Sequence, residues 1–492
     1  MLGESAITTH DAERYHAAYR DAIAAIGATA QGSASIFAQP SISVKLSALH
    51  PRYEYAQRER VFRELLPSVI ELARLARRLG IGLTIDAEES DRLEISLELF
   101  ALVRRDASLA QWNGLGLAVQ AYLKRGRAVV EWVARLARDT GTRVPLRLVK
   151  GAYWDAEIKR AQVQGLAGYP VFTRKAHSDI SYLASARAML EAGDALYPVF
   201  ATHNAHTIAW VSACAATRGV KEIEFQRLHG MGDTLYAQVT AAAPDHPCRV
   251  YAPVGNHQDL LPYLVRRLLE NGSNTSFVNR IADPSVSLDD IVADPVERAR
   301  AWKFAPAARI PLPVDLFGKE RRNSAGVSLA DQHAMAELDL ALAAAASKSW
   351  HGAPVVSGAA LDGPKHPLPD PSDHRRSLGS GIDIDASRLS DVLSTLRAAQ
   401  PKWDSRGGTA RATFLERAAD ILERERDALF VLLTREAGKT RAAALAEVRE
   451  AVDFCRYYAV QAREYFATPA PLPSPTGESN SLALHGRGVF VG

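Results

Sequence analysis

The stretch VPLRLVKGAY at residues 144–153 combines an apolar run with a cationic end. Its first six residues are apolar except Arg147, a composition typical of a strand that is buried on both faces of a parallel sheet. Further runs of this kind occur before and after it, with helix-like stretches between them. They are SISVKLSAL (41–49), IGLTIDAE (81–88), LGLAVQAY (115–122), YPVFATHN (197–204), IEFQRLHG (223–230), RVYAPVG (249–255) and TSFVNRI (275–281).

Eight strand-like runs that alternate with helices over about 280 residues predict an α/β fold, a (β/α)8 barrel of the TIM type. A doubly wound open sheet is the alternative, but no GxGxxG motif follows an early strand. Polar residues stand at the carboxyl ends of these runs, where a TIM barrel has its active site. They are Lys45, Asp86, Glu88, Gln120, Arg147, Lys150, His203, Asn204, Gln226 and His229.

Composition narrows the class of protein. A chain of 492 residues predicts two or three domains, and a net charge of +3 without a basic run argues against nucleic-acid binding. Cys214, Cys248 and Cys455 show no ligand spacing, so neither a metal site nor a disulfide framework is predicted. The amino terminus lacks the apolar core of a signal peptide, and no run reaches transmembrane length. We therefore expect a cytoplasmic protein with at most peripheral membrane contact.

Changes in composition divide the chain into three parts. Residues 1–304 form the predicted barrel, residues 305–384 a linker around one Ala-rich helix, and residues 385–492 a second, mainly helical domain. Residues 481–492 predict a hairpin-like β segment. The sequence EAGKT at 436–440 lacks the preceding glycine of a P-loop, so nucleotide binding is not predicted there.

Several cationic and aromatic residues allow more than one interpretation. A lysine in a barrel mouth, such as Lys45 or Lys150, is a Schiff-base nucleophile, a fixed cation for an anionic ligand, or a rim residue that reaches solvent. The sequence ATHNAH at 201–206 places two histidines three apart, and without a nearby carboxylate it favours a hydrogen-bonding loop over a metal site. Aromatic residues either wall a small pocket or pack in the core. They are Tyr153, Trp154, Tyr251 and Tyr263.

The sequence LPYLVRRLLENG at residues 261–272 predicts an amphipathic helix with two adjacent arginines, Arg266 and Arg267. Adjacent helix residues point about 100° apart, so both arginines cannot lie flat on one outer face. Solvent exposure is the ordinary interpretation of such a pair. The alternative is that two guanidiniums bind one carboxylate, with Glu270 sharing a face with Arg266 and orienting it.

Seven stretches resemble, in order, the proline dehydrogenase domain of the bifunctional proline utilization A flavoproteins. They are SVKLSALHPRY, RLVKGAYWDAEIKRAQ, GYPVFTRKAHSDISYLA, FATHNAHT, EFQRLHGMGD, RVYAPVG and LVRRLLENGSNTSFVNRIAD. In the second domain, FLERAADILERERDALFVLLTREAGKT and the helix after it resemble the start of the aldehyde dehydrogenase domain of the same proteins. The resemblance implies a distorted barrel that holds FAD without a Rossmann motif, and hydride transfer from C5 of L-proline to flavin N5. The product would be Δ1-pyrroline-5-carboxylate, with a membrane quinone as electron acceptor.

The resemblance also implies residue roles, including a pairing of Asp86 with an arginine. Positions implied to contact or support proline are Lys45, Asp86, Arg147, Tyr153, Tyr251, Tyr263, Arg266, Arg267 and Glu270. Positions implied to bind FAD are Gln120, Arg147, Val149, Lys150, Gly151, Ala152, Trp154, Thr173, Lys175, Thr202, His203, Asn204, Gln226, Leu228 and Glu270.

Two departures from the family limit these implications. Family members begin upstream, some with a DNA-binding domain, and continue beyond the position where this sequence ends. We therefore expect no DNA regulation, because the upstream DNA-binding domain is not in this sequence. We also expect no aldehyde oxidation, because the sequence ends before the family's catalytic cysteine and general-base glutamate, and Cys455 is not that cysteine. Two other hypotheses stay open: a Schiff-base lyase on the same barrel, and an inactive fragment that does not hold FAD. An oligomer is possible, as in the full-length family.

Overall fold

The computed structural model describes residues 5–30, 32, 35–255, 260–261, 264–265, 283 and 285–490. Contacts within the chain separate it into two compact units, each with its own hydrophobic core. Unit 1 consists of Met1–Ala161 and Tyr169–Ile310, and unit 2 of Gln162–Gly168 and Pro311–Gly492.

A parallel sheet forms the centre of unit 1. Its seven strands lie in chain order, and each strand pairs in parallel with the next. They are β1 (Ser41–Val44), β2 (Gly82–Ile85), β3 (Leu115–Gln120), β4 (Val144–Val149), β5 (Leu196–Ala201), β6 (Glu224–Leu228) and β7 (Cys248–Tyr251). Branched side chains such as Val44, Leu83 and Leu146 are fully buried, which is why these runs are apolar on both faces.

Helices precede, connect and follow the strands of unit 1. They are α1 (Thr9–Gly27), α2 (Arg58–Arg78), α3 (Leu93–Arg104), α4 (Gly126–Asp139), α5 (Trp154–Val163), α6 (Lys175–Glu191), α7 (Ala205–Thr217), α8 (Asp233–Ala242), α9 (Leu288–Val292) and α10 (Pro295–Ala301). In α4, residues spaced by three or four positions are buried, among them Val129, Val133 and Leu136. Each such side chain contributes about 1.5–3 kcal/mol when it leaves water, so this face fixes the helix against the sheet.

The α/β class predicted from the sequence is confirmed, with parallel βα units of the TIM type. Seven of the eight predicted runs contain a strand, and the eighth, at 275–281, lies outside the described residues. The strands are shorter than the runs, and three of them end directly before a polar residue. β1 stops before Lys45, β2 before Asp86 and β4 before Lys150.

Unit 2 is mainly helical. Its helices are α11 (Gln332–Ala345), α12 (Leu389–Asp404), α13 (Gly407–Arg424), α14 (Arg426–Glu436) and α15 (Arg441–Phe466). Its core contains Leu338, Phe430, Ala444 and Leu445, and the buried Arg456 donates to Glu423 at 2.7 Å. Across the described part of the whole chain, no helix combines the length and the apolar character needed to cross a bilayer.

The β structure of unit 2 differs from the sequence prediction. Its strands are β8 (Trp350–Gly352), β9 (Val355–Val356), β10 (Ala359–Ala360), β11 (Lys365–Asp370), β12 (Asp373–Ile382), β13 (Ala470–Leu472) and β14 (Asn480–Leu482). The Ala-rich helix predicted in residues 305–384 is confirmed as α11, but β8 to β12 were not predicted there. The hairpin predicted at 481–492 is misplaced, because β13 pairs with β14 further upstream. Short strands rich in proline and glycine carry little period-two signal.

Candidate active site

Side chains from four strands meet at the carboxyl end of the sheet. Arg147 donates through Nη1 to Asp86 Oδ1 at 2.6 Å and through Nη2 to Ser43 Oγ at 2.9 Å. The Tyr251 hydroxyl donates to Asp86 Oδ2 at 2.9 Å, and the Arg147 guanidinium lies 5.2 Å from the centre of the Tyr251 ring. Because all strands are parallel, their ends lie at one edge, and one carboxylate can join β2, β4 and β7.

This cluster is buried and electrically compensated. The side chains of Arg147 and Asp86 are 8% and 12% exposed, so their opposite charges interact in a poorly solvated place. Burial raises the pKa of Tyr251 well above its ordinary value, and the negative charge of Asp86 raises it further. The phenol therefore keeps its proton and acts as a hydrogen-bond donor rather than as a base.

Lys45 lies directly after β1 and is 4% exposed. Its backbone N–H donates to the hydroxyl of Tyr19, from α1, at 3.1 Å. The chain then makes a 3-10 turn, Leu46–Ala48. In this turn the backbone N–H of Ser47 donates a hydrogen bond to the carboxylate of Glu88 at 3.0 Å. The position of Lys45 is thus fixed by groups from two other elements.

The chain after β4 makes a sharp exit that requires glycine. Gly151 has φ +141°, and a Cβ at this position would overlap the ring of Tyr122. Gln120, at the end of β3, donates to the backbone carbonyl of Glu88 at 2.7 Å and accepts from Ala152 N at 3.2 Å. Gln120 therefore holds the ends of β2 and β4 at a fixed separation.

Two lysines share one carboxylate near this exit. Lys150 and Lys175 both donate to Asp179, the latter at 2.8 Å. Burial raises the pKa of Asp179, but the two adjacent ammonium groups outweigh burial and leave the pKa below its ordinary value. Two ammonium groups thus lie beside one carboxylate, and ammonium groups are suitable donors to an anionic ligand.

The other predicted cofactor positions lie along the same edge, and most of them have structural partners. His203 accepts from Leu228 N at 3.1 Å, Asn204 caps α7 by accepting from Thr207 N, and Gln226 donates to Glu224. Trp154 donates to the carbonyl of Phe172, Thr173 accepts from Ala307 N, and Thr202 accepts from Asn204 N. Val149 ends β4, and Tyr153 precedes α5. Four residues predicted to contact or support proline lie outside the described residues: Tyr263, Arg266, Arg267 and Glu270.

Sequence reasoning missed several residues of this edge. Asp179 and Arg92 were not predicted, although each lies four positions from its partner, Lys175 or Glu88, which is a detectable spacing. Ser43 carries no comparable signal, because its partner is 104 positions away. Within the described residues, no group of three or more side chains could hold a metal ion, so the described part of the site offers ion pairs and hydrogen-bond donors.

A parallel βα sheet whose carboxyl ends carry buried ion pairs defines an enzyme domain of the TIM-like class. The chain belongs to the proline dehydrogenase family, whose sequence profile matches residues 1–280. The profile of the aldehyde dehydrogenase family matches residues 363–491. The resemblance seen in the sequence is thereby confirmed.

Curated and solved relatives agree with this assignment. The bifunctional protein PutA of Salmonella typhimurium is 49% identical over 95% of this chain and 36% of its own length. The PutA protein of Escherichia coli is 48% identical over 96% of this chain and 37% of its own. A crystal structure of a mutant of Bradyrhizobium japonicum proline utilization A has a TM-score of 0.87 at 45% identity, covering 99% of this chain and 46% of that chain. The chain thus spans about a third to a half of these relatives.

Proposed function

We propose that unit 1 oxidises L-proline to Δ1-pyrroline-5-carboxylate with FAD as its cofactor. The observation that carries this proposal is the match of residues 1–280 to the proline dehydrogenase family. The described site is consistent with it, because cations and a neutral phenol lie together at the edge where a TIM-like fold has its active site. In this proposal, residues 1–304 form the catalytic domain, 305–384 a connecting segment, and 385–492 part of an aldehyde dehydrogenase domain.

The substrate carboxylate needs fixed positive charge, and we assign that role first to Lys45. Asp86 already compensates the charge of Arg147. Arg147 therefore serves to hold the Asp86 carboxylate in place rather than to add net positive charge to the site. The resemblance adds Arg266 and Arg267 as further carboxylate contacts. In this proposal, the protonated Tyr251, held by Asp86, packs against one side of the proline ring. The rest of the pocket around the ring is formed by Tyr153, Tyr263 and Leu228.

The described residues fit FAD by the chemistry of their donors. Lys150 and Lys175 place two ammonium groups beside Asp179, and such cationic donors suit a pyrophosphate group. Gly151 lets the backbone after β4 pass close to the ring of Tyr122. Gln120, at the end of β3, accepts a hydrogen bond from Ala152 N and so fixes the distance between β3 and this segment. FAD, when bound, supplies the two-electron acceptor that no side chain can provide. The contribution of the chain is to orient proline and to hold it away from bulk water.

Electrons then pass to a quinone in the membrane, and the protein is cytoplasmic with peripheral membrane contact in this proposal. Proline-dependent reduction of a soluble quinone analogue tests the acceptor, and co-sedimentation with lipid vesicles tests the membrane contact. If protein whose flavin has been reduced by proline does not reduce the quinone, the proposal that a quinone is the electron acceptor is refuted.

The absorbance spectrum of the purified chain, loaded with FAD, tests the proposed reaction. Proline added without oxygen is expected to bleach the visible flavin absorbance and to release one equivalent of the imine product. A flavin-loaded protein that proline does not bleach would refute the proposal. Borohydride added with substrate separates the Schiff-base alternative, because only a lyase would leave a covalent adduct on Lys45 or Lys150.

A further inference from the structure

Glu88 is a buried carboxylate at the active-site edge that the proposed reaction does not use. It follows β2 by three residues, and its side chain is 5% exposed. Asp86, two residues earlier, binds Arg147 and Tyr251. Glu88 has a different set of partners, and a carboxylate removed from water needs a reason to be retained there.

The side chain of Glu88 joins two elements. Its Oε1 accepts from the backbone N–H of Ser47 at 3.0 Å, and its Oε2 accepts from Arg92 at 2.9 Å. Ser47 lies in the 3-10 turn Leu46–Ala48, whose N-cap residue, Lys45, provides no side-chain cap. Glu88 therefore satisfies an amide that the turn itself leaves unpaired. One carboxylate from the β2 loop thus fixes the turn that carries Lys45.

Charge reinforces this arrangement. Burial raises the pKa of Glu88 above its ordinary value, although the positive charges of Arg92 and Lys45 oppose this shift. Arg92 is held in turn by the buried ring of Tyr53, 5.7 Å from the guanidinium. Glu88 is thus paired with Arg92 on one side and, through Ser47 N, with the turn that directly follows Lys45.

The backbone of Glu88 extends the connection to the cofactor side. Its carbonyl accepts from Gln120 at 2.7 Å, and Gln120 accepts from Ala152 N at 3.2 Å. The loop after β2 is therefore tied to the ends of β1, β3 and β4 at once. A rigid loop at this junction is a suitable base for orienting Lys45.

We propose that Glu88, held by Arg92, is a positioning residue that orients Lys45 toward the carboxylate of the substrate. This inference rests on the proposed function, which gives Lys45 a carboxylate to bind. Glu88 acts through Lys45 and does not itself contact substrate. Its loss should weaken substrate binding more than it slows the reaction of bound substrate.

The test is the proline dependence of oxidation by the flavin-loaded 492-residue chain and its Glu88→Gln variant. We expect KM for proline to rise about tenfold or more, with kcat within about threefold and unchanged flavin content. Glu89→Gln is the matched control, since it removes the same charge from a residue 3.6 Å from the same arginine. Its KM should stay within about twofold of the unchanged chain.

Two further measurements separate positioning from general damage. Prolinamide, which has the ring and amine of proline but no carboxylate, should compete equally well with the unchanged chain and with Glu88→Gln. In a Lys45→Met background, Glu88→Gln should add almost nothing to KM, because the group through which it acts is gone. Equal weakening of proline and prolinamide, or a full additional effect in the Lys45→Met background, overturns the inference.

The outcomes also distinguish this inference from the proposed function. If the unchanged, flavin-loaded chain does not oxidise proline, the proposed function fails. If that chain is active and Glu88→Gln keeps its KM, only the positioning role fails. Should Glu88→Gln not fold, Arg92→Gln removes the outer partner at a more exposed position, and the same rise in KM is expected.

Discussion

Replacing Asp86 by alanine should destabilise unit 1 more than almost any other single change at the active-site edge. The carboxylate accepts from Arg147 at 2.6 Å and from Tyr251 at 2.9 Å, and both charged side chains are about nine-tenths buried. Alanine leaves a buried guanidinium without its counter-charge and a buried hydroxyl without its acceptor. Breaking a buried pair in this way costs about 3–5 kcal/mol of unfolding free energy. Asp86→Asn keeps an acceptor oxygen and should cost about 1–3 kcal/mol.

Urea unfolding, followed by tryptophan fluorescence, measures this change as a lower midpoint with an unchanged slope. Glu131→Ala is the matched control, because Glu131 pairs with Arg127 at 3.0 Å on α4 with both side chains largely exposed. That variant should leave the unfolding free energy almost unchanged. Adding Arg147→Met to Asp86→Ala should restore part of the lost stability, since no unpaired charge is then buried. A cost below about 1 kcal/mol for Asp86→Ala would refute the argument that this pair is desolvated.

Three further predictions concern the exit of β4. Gly151→Ala should cost about 1–3 kcal/mol of unfolding free energy and lower flavin retention, because a φ of +141° disfavours a side chain. Gly168→Ala is the control, since a Cβ there would enter open space. Equal effects of the two substitutions would contradict this prediction. Lys150→Met combined with Lys175→Met should weaken FAD binding and reduce its salt dependence in equilibrium titrations; unchanged salt dependence would exclude them as phosphate contacts. Asp179 has a folded pKa below its ordinary 3.8, so its stabilising contribution is present above pH 3.8 and is lost as pH falls through the folded pKa. The difference in unfolding free energy between the unchanged chain and Asp179→Asn should therefore shrink below pH 3.8, and a pH-independent difference would contradict the assignment.

Local pattern predicted the described strands of unit 1 well, because a strand buried on both faces of a parallel sheet is mainly apolar. It also predicted that Lys45 and Asp86 stand at strand ends, since a polar residue after an apolar run marks the point where the strand leaves the core, whereas Arg147 lies within β4. It did less well in unit 2, where β11 contains proline, β12 contains glycine, and the burial of β12 does not follow a simple alternation.

Pairing across the sheet could not be obtained from pattern alone. The resemblance implied that Asp86 pairs with an arginine, but Arg147 is 61 positions away and Tyr251 165 positions away. These residues meet because consecutive parallel strands bring their carboxyl ends to one edge, and this depends on the order of the strands and their register.

The sequence by itself determined the class of fold, the edge of the sheet at which the chemistry lies, and the family, because apolar runs, strand-end cations and family motifs are local features of the chain. Only the tertiary structure decided that Glu88 supports the turn of Lys45. The carboxylate of Glu88 accepts a hydrogen bond from the backbone N–H of Ser47, 41 positions away. Every residue except proline carries such an N–H group. A contact between a side chain and a backbone amide leaves no distinctive residue type at its second end, so it becomes visible only when the chain is folded.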